Sequence, residues 1–268
     1  MCRFAAYLGE GETSLASLAL EPEHSLLRQS YAPREMRSGV VNADGFGAGW
    51  YAPEIDDEPA VYTSVRPIWA DRSFASIGRK ILARCIFAAL RNATPGLPAE
   101  ESGVPPFASG RLLFMHNGAI RDFRNTAIRR LRRELSDEAY AGLLGVSDSE
   151  TIFALLADRV REGRPLEEAA AQTVRRVAKL CSGTPAALNL AVTDGRAMVF
   201  TRYSEPGPGN SLYVLEDGAA FPEAVVVASE PLDSDPGWRA VPDRHVLAVD
   251  GKRGVALRAL DAEGRTRR

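Results

Sequence analysis

The chain has 268 residues, of which 45% are apolar and 25% charged, so it can bury a large core without disulfides or a structural metal. The 33 basic and 35 acidic side chains give a net charge of -2, which provides no overall field to attract nucleic acid or an anionic membrane. The apolar runs are far shorter than the roughly 20 residues that span a bilayer. With no basic segment leading into an apolar one at the N-terminus, we expect a soluble, cytoplasmic protein.

Short apolar runs bounded by turn residues predict strands in the first half of the chain, at Arg3 to Leu8, Gly47 to Tyr51, Ala60 to Val65, Cys85 to Leu90 and Leu112 to His116. Helical patterns follow at Phe123 to Leu135, Ser149 to Val160 and Leu166 to Leu180. Further strands are predicted at Leu188 to Thr193, Met198 to Tyr203, Ser211 to Leu215, Ala224 to Ala228, Val246 to Val249 and Val255 to Leu260. This order predicts an α+β fold with helices packed on antiparallel sheets. We expect residues 1–262 to form one domain and residues 263–268 a charged tail.

The arginine-rich stretch from Phe123 to Leu135 has two interpretations. Its basic side chains could form a phosphate-binding face, but Ile128, Leu131 and Leu135 recur at helical spacing. We therefore interpret it as an amphipathic helix with a solvated basic face.

Cysteine and histidine are too few and too scattered to indicate a metal or a disulfide framework. The cysteines, Cys2, Cys85 and Cys181, are odd in number and have no CxxC spacing. The three histidines lie far apart in the sequence. We accordingly expect no metal and no cofactor.

Cys2 is the strongest candidate for a catalytic residue. Its small side chain at position two favours removal of Met1, which would leave a thiol and a free α-amine on one residue. Because such an amine titrates at about 7.7 to 8.0 and a thiol near 8.5, the amine can act as the general base for the thiol. A cysteine in second position can also be incidental, so other residues must show whether Cys2 is catalytic.

Two fragments could bind the glutamyl part of an amide substrate. Arg91 follows a predicted strand, and its planar guanidinium suits a carboxylate, with the Thr94 hydroxyl as a further donor. The alternative is a surface arginine that closes a turn.

Asp148 could pair with a substrate ammonium. The alternative is a helix start, because Ser147 and Glu150 on either side of it have capping-box spacing.

A third fragment, His116 to Gly118, could stabilise an oxyanion. Asn117 offers a side-chain N–H and Gly118 a backbone N–H that no Cβ obstructs. The alternative is a simple Asn-Gly turn. His116 is interpreted as a structural residue, because the amine of Cys2 already supplies a base.

In this order the motifs resemble the class II glutamine amidotransferase family of N-terminal-nucleophile hydrolases, and the resemblance covers most of residues 1–230. Further segments are similar to the branch in ergothioneine biosynthesis that removes glutamate from γ-glutamyl hercynylcysteine sulfoxide. They are Arg28 to Pro33, Pro67 to Asp71, Pro105 to Phe107 and Ala228 to Leu232.

The resemblance implies a four-layer αββα sandwich with Cys2 as nucleophile at the end of a strand. It implies that Arg91 and Thr94 bind the glutamyl α-carboxylate, Asp148 its α-ammonium, and Asn117 with Gly118 the oxyanion. Pro95 departs from the pattern, since many members have histidine there, which puts some carboxylate contacts in doubt.

The expected partner is a small γ-glutamyl substrate, with no nucleic acid and no membrane, and a homo-oligomer is left open. Since no synthase domain follows residue 230, we expect hydrolysis rather than transfer. Aromatic candidates for a trimethylammonium leaving group are Phe46, Trp50, Trp69 and Phe107, which could equally be core residues. Alternative functions are a glutathione-degrading γ-glutamyl hydrolase associated with a peptidase, a glutaminase, and a non-catalytic γ-glutamyl binding module.

Overall fold

The computed structural model of the protein describes residues 2–35, 41–93 and 100–260. The strands of these residues are β1 (Arg3–Ser14), β2 (Phe46–Ala52), β3 (Asp56–Ser64), β4 (Leu82–Leu90), β5 (Phe107–Ser109), β6 (Leu112–Ile120), β7 (Ala186–Thr193), β8 (Met198–Arg202), β9 (Ser204–Glu205), β10 (Tyr213–Gly218), β11 (Phe221–Ala228), β12 (Arg239–Ala240), β13 (His245–Val249) and β14 (Val255–Ala259). The helices are α1 (Leu15–Ala19), α2 (Leu26–Gln29), α3 (Arg72–Ile77), α4 (Phe123–Thr126), α5 (Ile128–Arg132), α6 (Asp137–Ala141), α7 (Asp148–Arg161) and α8 (Leu166–Leu180).

The strands form two antiparallel sheets. The first has the order β12-β10-β11-β1-β4-β2-β3, and the second has the order β14-β13-β8-β7-β6-β5, with β9 paired to β7. In the first sheet β1 lies between β11 and β4, where Ala5 is opposite both Ala228 and Ala88. The first residues of β1 therefore lie beside the last residues of β4 and β11.

Successive side chains along each strand point to opposite faces of the sheet. In β4, Phe87 packs between the sheets against Phe4 and Phe200 of the inner core. Its neighbour Ile86 packs on the other face, in the cluster that contains Leu15 of α1. Continuous apolar runs such as Cys85 to Leu90 are thus buried on both faces, which explains their lack of polar alternation.

The second sheet is covered on its outer face by α4 to α8. Phe114 of β6 stacks on Phe153 of α7 with ring centroids 5.1 Å apart, and Val174 of α8 belongs to the same cluster. The layers are therefore helix, sheet, sheet and helix, so the expectation of an αββα sandwich is confirmed.

The prediction of one continuous helix from Phe123 to Leu135 is wrong, because α4 and α5 are separate short helices. Ala127 between them has φ -131°, which is not helical. The Thr126 hydroxyl just before it donates to the backbone oxygens of Arg121 and Asp122, at 3.0 and 2.9 Å. Such local side-chain bonds compete with a continuous helix. Among the described residues, the structure contains no helix of the length and apolar character needed to cross a membrane.

Candidate active site

The candidate nucleophile lies at the start of a central strand of the first sheet. Cys2 directly precedes β1, and the pairing of Arg3 with Leu90 brings it beside Arg91, which directly follows β4. The backbone N–H of Asn92 donates to the Cys2 Sγ at 3.5 Å. Antiparallel pairing therefore places the thiol and the candidate carboxylate-binding residue together, as expected.

Burial raises the pKa of the part-buried Cys2 thiol, although the Asn92 N–H and the amino terminus oppose this effect. Asp148 raises and Arg91 lowers the same pKa, so both charges act on the sulfur. The raised pKa favours the protonated form of the thiol. Nucleophilic attack at neutral pH therefore requires a base that removes this proton.

Arg91 is buried and held by the loop that precedes β2. Its Nη1 donates to the Asp44 backbone oxygen at 3.3 Å, and its backbone N–H donates to the Gly45 oxygen at 2.7 Å. A Cβ on Gly103 would lie 2.8 Å from the Arg91 Nη2, so the turn at Glu101–Gly103 fits closely against the guanidinium. Arg91 and Ser147 line the same cavity of about 20 Å³. The arginine is therefore an oriented group next to the N-terminus of α7.

Asp148 is the first residue of α7 and is buried. Its Oδ2 accepts the Ile120 N–H at 2.8 Å, and its Oδ1 accepts the Ser149 N–H at 2.8 Å. Ser147 is the helix N-cap, since its Oγ accepts the Glu150 N–H at 3.1 Å. The Glu150 carboxylate binds the N–H groups of Leu144 and Gly145, so the capping box is closed on one side only.

Asn117 and Gly118 lie inside β6, so the alternative of an Asn-Gly turn is wrong, and so is the predicted strand end at His116. The fully buried Asn117 receives the Asn210 Nδ2–H on its Oδ1 at 3.1 Å. Its own Nδ2 donates to the Ser229 Oγ at 3.2 Å. An amide nitrogen carries two N–H groups, so one remains for a further acceptor.

Gly118 has no space for a side chain. A Cβ there would lie 1.9 Å from the Ala187 oxygen and 2.5 Å from the His116 Nε2. The same Nε2 lies 2.9 Å from the Ala187 oxygen, to which it must donate, and the His116 Nδ1 lies 2.9 Å from the Ser149 Oγ. His116 thus joins β6, β7 and the start of α7, in agreement with its interpretation as a structural residue.

Ser229 links the two sides of the site, and reasoning from the sequence missed it. Its Oγ accepts the Phe4 N–H at 3.0 Å as well as the Asn117 amide, and its N–H donates to the Phe4 oxygen. The signal in the sequence is a polar pair, Ser229 and Glu230, directly after the apolar run that ends β11, and the structure buries both residues.

The structure does not describe some of the expected site residues, and it places most of the aromatic candidates in the core. Thr94 and Pro95 lie outside the described residues, as does Met1. Of the aromatic candidates, Phe46 packs on Phe74, Trp50 packs on the outer core of the first sheet, and Phe107 packs on Phe114. Trp69 is exposed and makes an edge contact with Tyr31.

Comparisons with known proteins agree with this geometry. The chain is 38% identical to a gamma-glutamyl-hercynylcysteine sulfoxide hydrolase of Mycolicibacterium smegmatis, over 93% of this chain and 96% of the relative. It is 35% identical to a protein of the same name from Mycobacterium tuberculosis, over 97% of each chain. The solved structure of a glutamine aminotransferase class-II domain protein from Silicibacter pomeroyi matches the fold with a TM-score of 0.68 and 24% identity, over 96% of this chain and 99% of that one. The family description "Glutamine amidotransferases class-II" matches residues 21–221, and the chain therefore belongs to the class II glutamine amidotransferases.

Proposed function

We propose that the protein hydrolyses the γ-glutamyl amide bond of γ-glutamyl hercynylcysteine sulfoxide, releasing glutamate, with Cys2 as the nucleophile. The proposal is carried by one observation above all: strand pairing places the Cys2 thiol beside the buried Arg91. The substrate is inferred from the printed names of the two mycobacterial relatives.

The two charges account for selection of a glutamyl group. The guanidinium of Arg91 binds the α-carboxylate, and Asp148 keeps lone pairs for the α-ammonium after accepting two backbone N–H groups. We include Thr94 as a second donor to the carboxylate. An acyl group that lacks either charge forgoes the charge-assisted contact with Arg91 or Asp148, and this loss disfavours it.

The reaction proceeds through a thioester. Removal of Met1 frees the α-amine of Cys2, which takes the thiol proton as the sulfur attacks the γ-carbonyl carbon. The oxyanion is stabilised by the Asn117 Nδ2–H and the Gly118 N–H. The ammonium of Cys2 then gives its proton to the leaving nitrogen as the C–N bond breaks. Water, deprotonated by the same amine, attacks the thioester and releases glutamate and the thiol.

The compartment follows from the nucleophile. Because a thiol must stay reduced to attack, we propose the cytoplasm, where thiols are kept reduced.

For the leaving group, the exposed Trp69 with its neighbour Tyr31 is the aromatic pair that we propose for a trimethylammonium cation.

The test compares glutamate release from γ-glutamyl hercynylcysteine sulfoxide, glutathione and glutamine at equal concentrations. We expect preference for the first substrate, and no turnover by Cys2→Ala, which retains the glutamyl-binding residues. Intact mass should show that Met1 is absent from the active protein. Preference for glutathione or glutamine would contradict the substrate, and release by Cys2→Ala would contradict the nucleophile. Absence of release from all three donors would favour a binding module.

A further inference from the structure

A buried cluster of polar side chains surrounds Glu230, immediately after Ser229. The Arg3 Nε donates to its Oε1 at 2.8 Å, and the His24 Nε2 donates to its Oε2 at 2.7 Å. The Arg3 and Glu230 side chains are 0% exposed, and that of His24 is 2% exposed. The backbone N–H groups of Arg34 and Glu35 complete the set of donors, at 2.8 and 3.0 Å. Each carboxylate oxygen therefore accepts two hydrogen bonds.

Stability alone does not explain this cluster. Taking charges out of water costs several kcal/mol per ion, and apolar replacements of buried ion pairs are often neutral or stabilising. A fully buried cluster of Arg3, His24 and Glu230 thus calls for a role that apolar residues could not fill. The role is indicated by what Arg3 contacts besides Glu230.

Arg3 connects the cluster to the nucleophile. Its Nη1 donates to the backbone oxygen of Cys2 at 3.2 Å. The pairing of β1 with β4 begins at Arg3, so Cys2 lies outside the ladder of backbone hydrogen bonds. Residues at a chain terminus fray unless they are held. Cys2 is held at two points, its sulfur by Asn92 and its carbonyl by Arg3.

We propose that Arg3, fixed by Glu230 and His24, is the positioning residue of the Cys2 nucleophile. The amine and the thiol are both carried by the Cys2 Cα, so rotation about its Cα–C bond moves them together. Arg3 fixes the carbonyl plane and with it the position of the Cα that carries both groups, and the Asn92 N–H on the sulfur limits the remaining rotation about the Cα–C bond. This inference rests on the proposed function, in which one residue supplies nucleophile and base.

The test is Arg3→Lys, which keeps a positive charge for Glu230 but loses the planar fork that serves two acceptors at once. Misplacement of a reacting group by an ångström costs about a hundredfold in rate, so we expect kcat to fall by at least about tenfold. The KM should change by less than about twofold, because Arg91 and Asp148 bind the substrate. The pH profile of kcat should shift, since the amine and thiol are no longer held at one distance.

A matched control is Glu10→Gln, which removes an exposed pair with Arg253 at the far end of β1. It should leave kcat, KM and the pH profile unchanged. His24→Gln, which keeps a side-chain N–H donor for Glu230, should reduce kcat less than Arg3→Lys. An unaltered pH profile in Arg3→Lys, or a kcat loss fully matched by partial unfolding in circular dichroism, would overturn the proposal.

A second readout separates this inference from the proposed function. The rate of Cys2 alkylation by iodoacetamide depends on the thiolate and its surroundings, and needs no turnover. If the wild-type protein releases glutamate from no donor, the proposed function fails and alkylation still tests the positioning. A changed pH dependence of alkylation in Arg3→Lys supports it, and an unchanged one overturns it.

Discussion

At the scale of single residues, the groups proposed for chemistry also hold the fold together. Asp148 accepts the N–H groups of Ile120 and Ser149, and Asn117 exchanges hydrogen bonds with Asn210 and Ser229. The structural and functional interpretations of Asp148, as a helix-end carboxylate and as an ammonium partner, are therefore compatible. A group fixed in this way needs no reorganisation when substrate charge develops.

Gly118→Ala tests how closely the site is packed. The added methyl would meet the Ala187 oxygen and the His116 ring, so β6 and β7 must separate. We expect the free energy of unfolding in urea to fall by about 3 kcal/mol, as in an overpacked core. Gly11→Ala is the control, since a Cβ there meets nothing within 4 Å. Equal stability of the two variants would contradict the close packing.

At the scale of elements, β6 and α7 together bring the second sheet and its helices to the site. β6 continues through Asn117 and Gly118 to Ile120, whose N–H reaches the first residue of α7. The sequence shows the apolar part of this strand but not its polar continuation, because Asn and Gly normally favour turns. The strand extends through them because β7 pairs along its whole length, from Ala186 to Thr193.

Ser147→Ala tests the start of α7. It removes the hydrogen bond to the Glu150 N–H, and loss of an N-cap costs about 1 kcal/mol of unfolding free energy. Ser147→Thr retains the hydroxyl and should recover most of this loss. Thermal unfolding of both variants and the wild type measures the difference. A loss of the same size in both variants would show that the cap does not set the stability of the helix.

At the scale of the whole molecule, the sequence predicts the order of the longer strands and of the two long helices, and it supplies the candidates for the site. Cys2, Arg91, Asn117 and Asp148 can be found in it because each stands at a boundary between apolar runs. The helices α1, α2 and α3 are too short to show a helical period. The bond between Arg3 and Glu230 joins residues 227 positions apart, so no local pattern reveals it.

Glu230 links β1, β11 and the segments around His24 and Arg34, and its ionisation affects the stability of the whole molecule. Burial alone would raise its pKa, but hydrogen bonds from His24 and the Arg34 amide, with the Arg3 charge, lower the pKa from 4.5 to about 2. At about 1.4 kcal/mol per pKa unit, the ionised form contributes about 3 kcal/mol above pH 4.5.

Because the folded pKa is the lower one, this contribution is present above pH 4.5 and is lost as the pH falls toward 2. Urea unfolding should therefore show the advantage of the wild type over Glu230→Gln shrinking across that interval. Glu10→Gln, with an exposed partner, should differ from the wild type by less than about 1 kcal/mol throughout. A constant advantage of the wild type over Glu230→Gln would contradict the assignment.

The hydroxyl of Ser229 touches the first sheet through Phe4 and the second through Asn117. Cys2, the proposed nucleophile, and Asn117, proposed for the oxyanion, therefore lie at different sheets, and the thickness of the interior sets the gap between them. The rings of Phe4, Phe87 and Phe200 fill that interior. We therefore expect the volume of these rings to influence the rate of the proposed reaction, so that a change in the core would alter catalysis without changing a site residue.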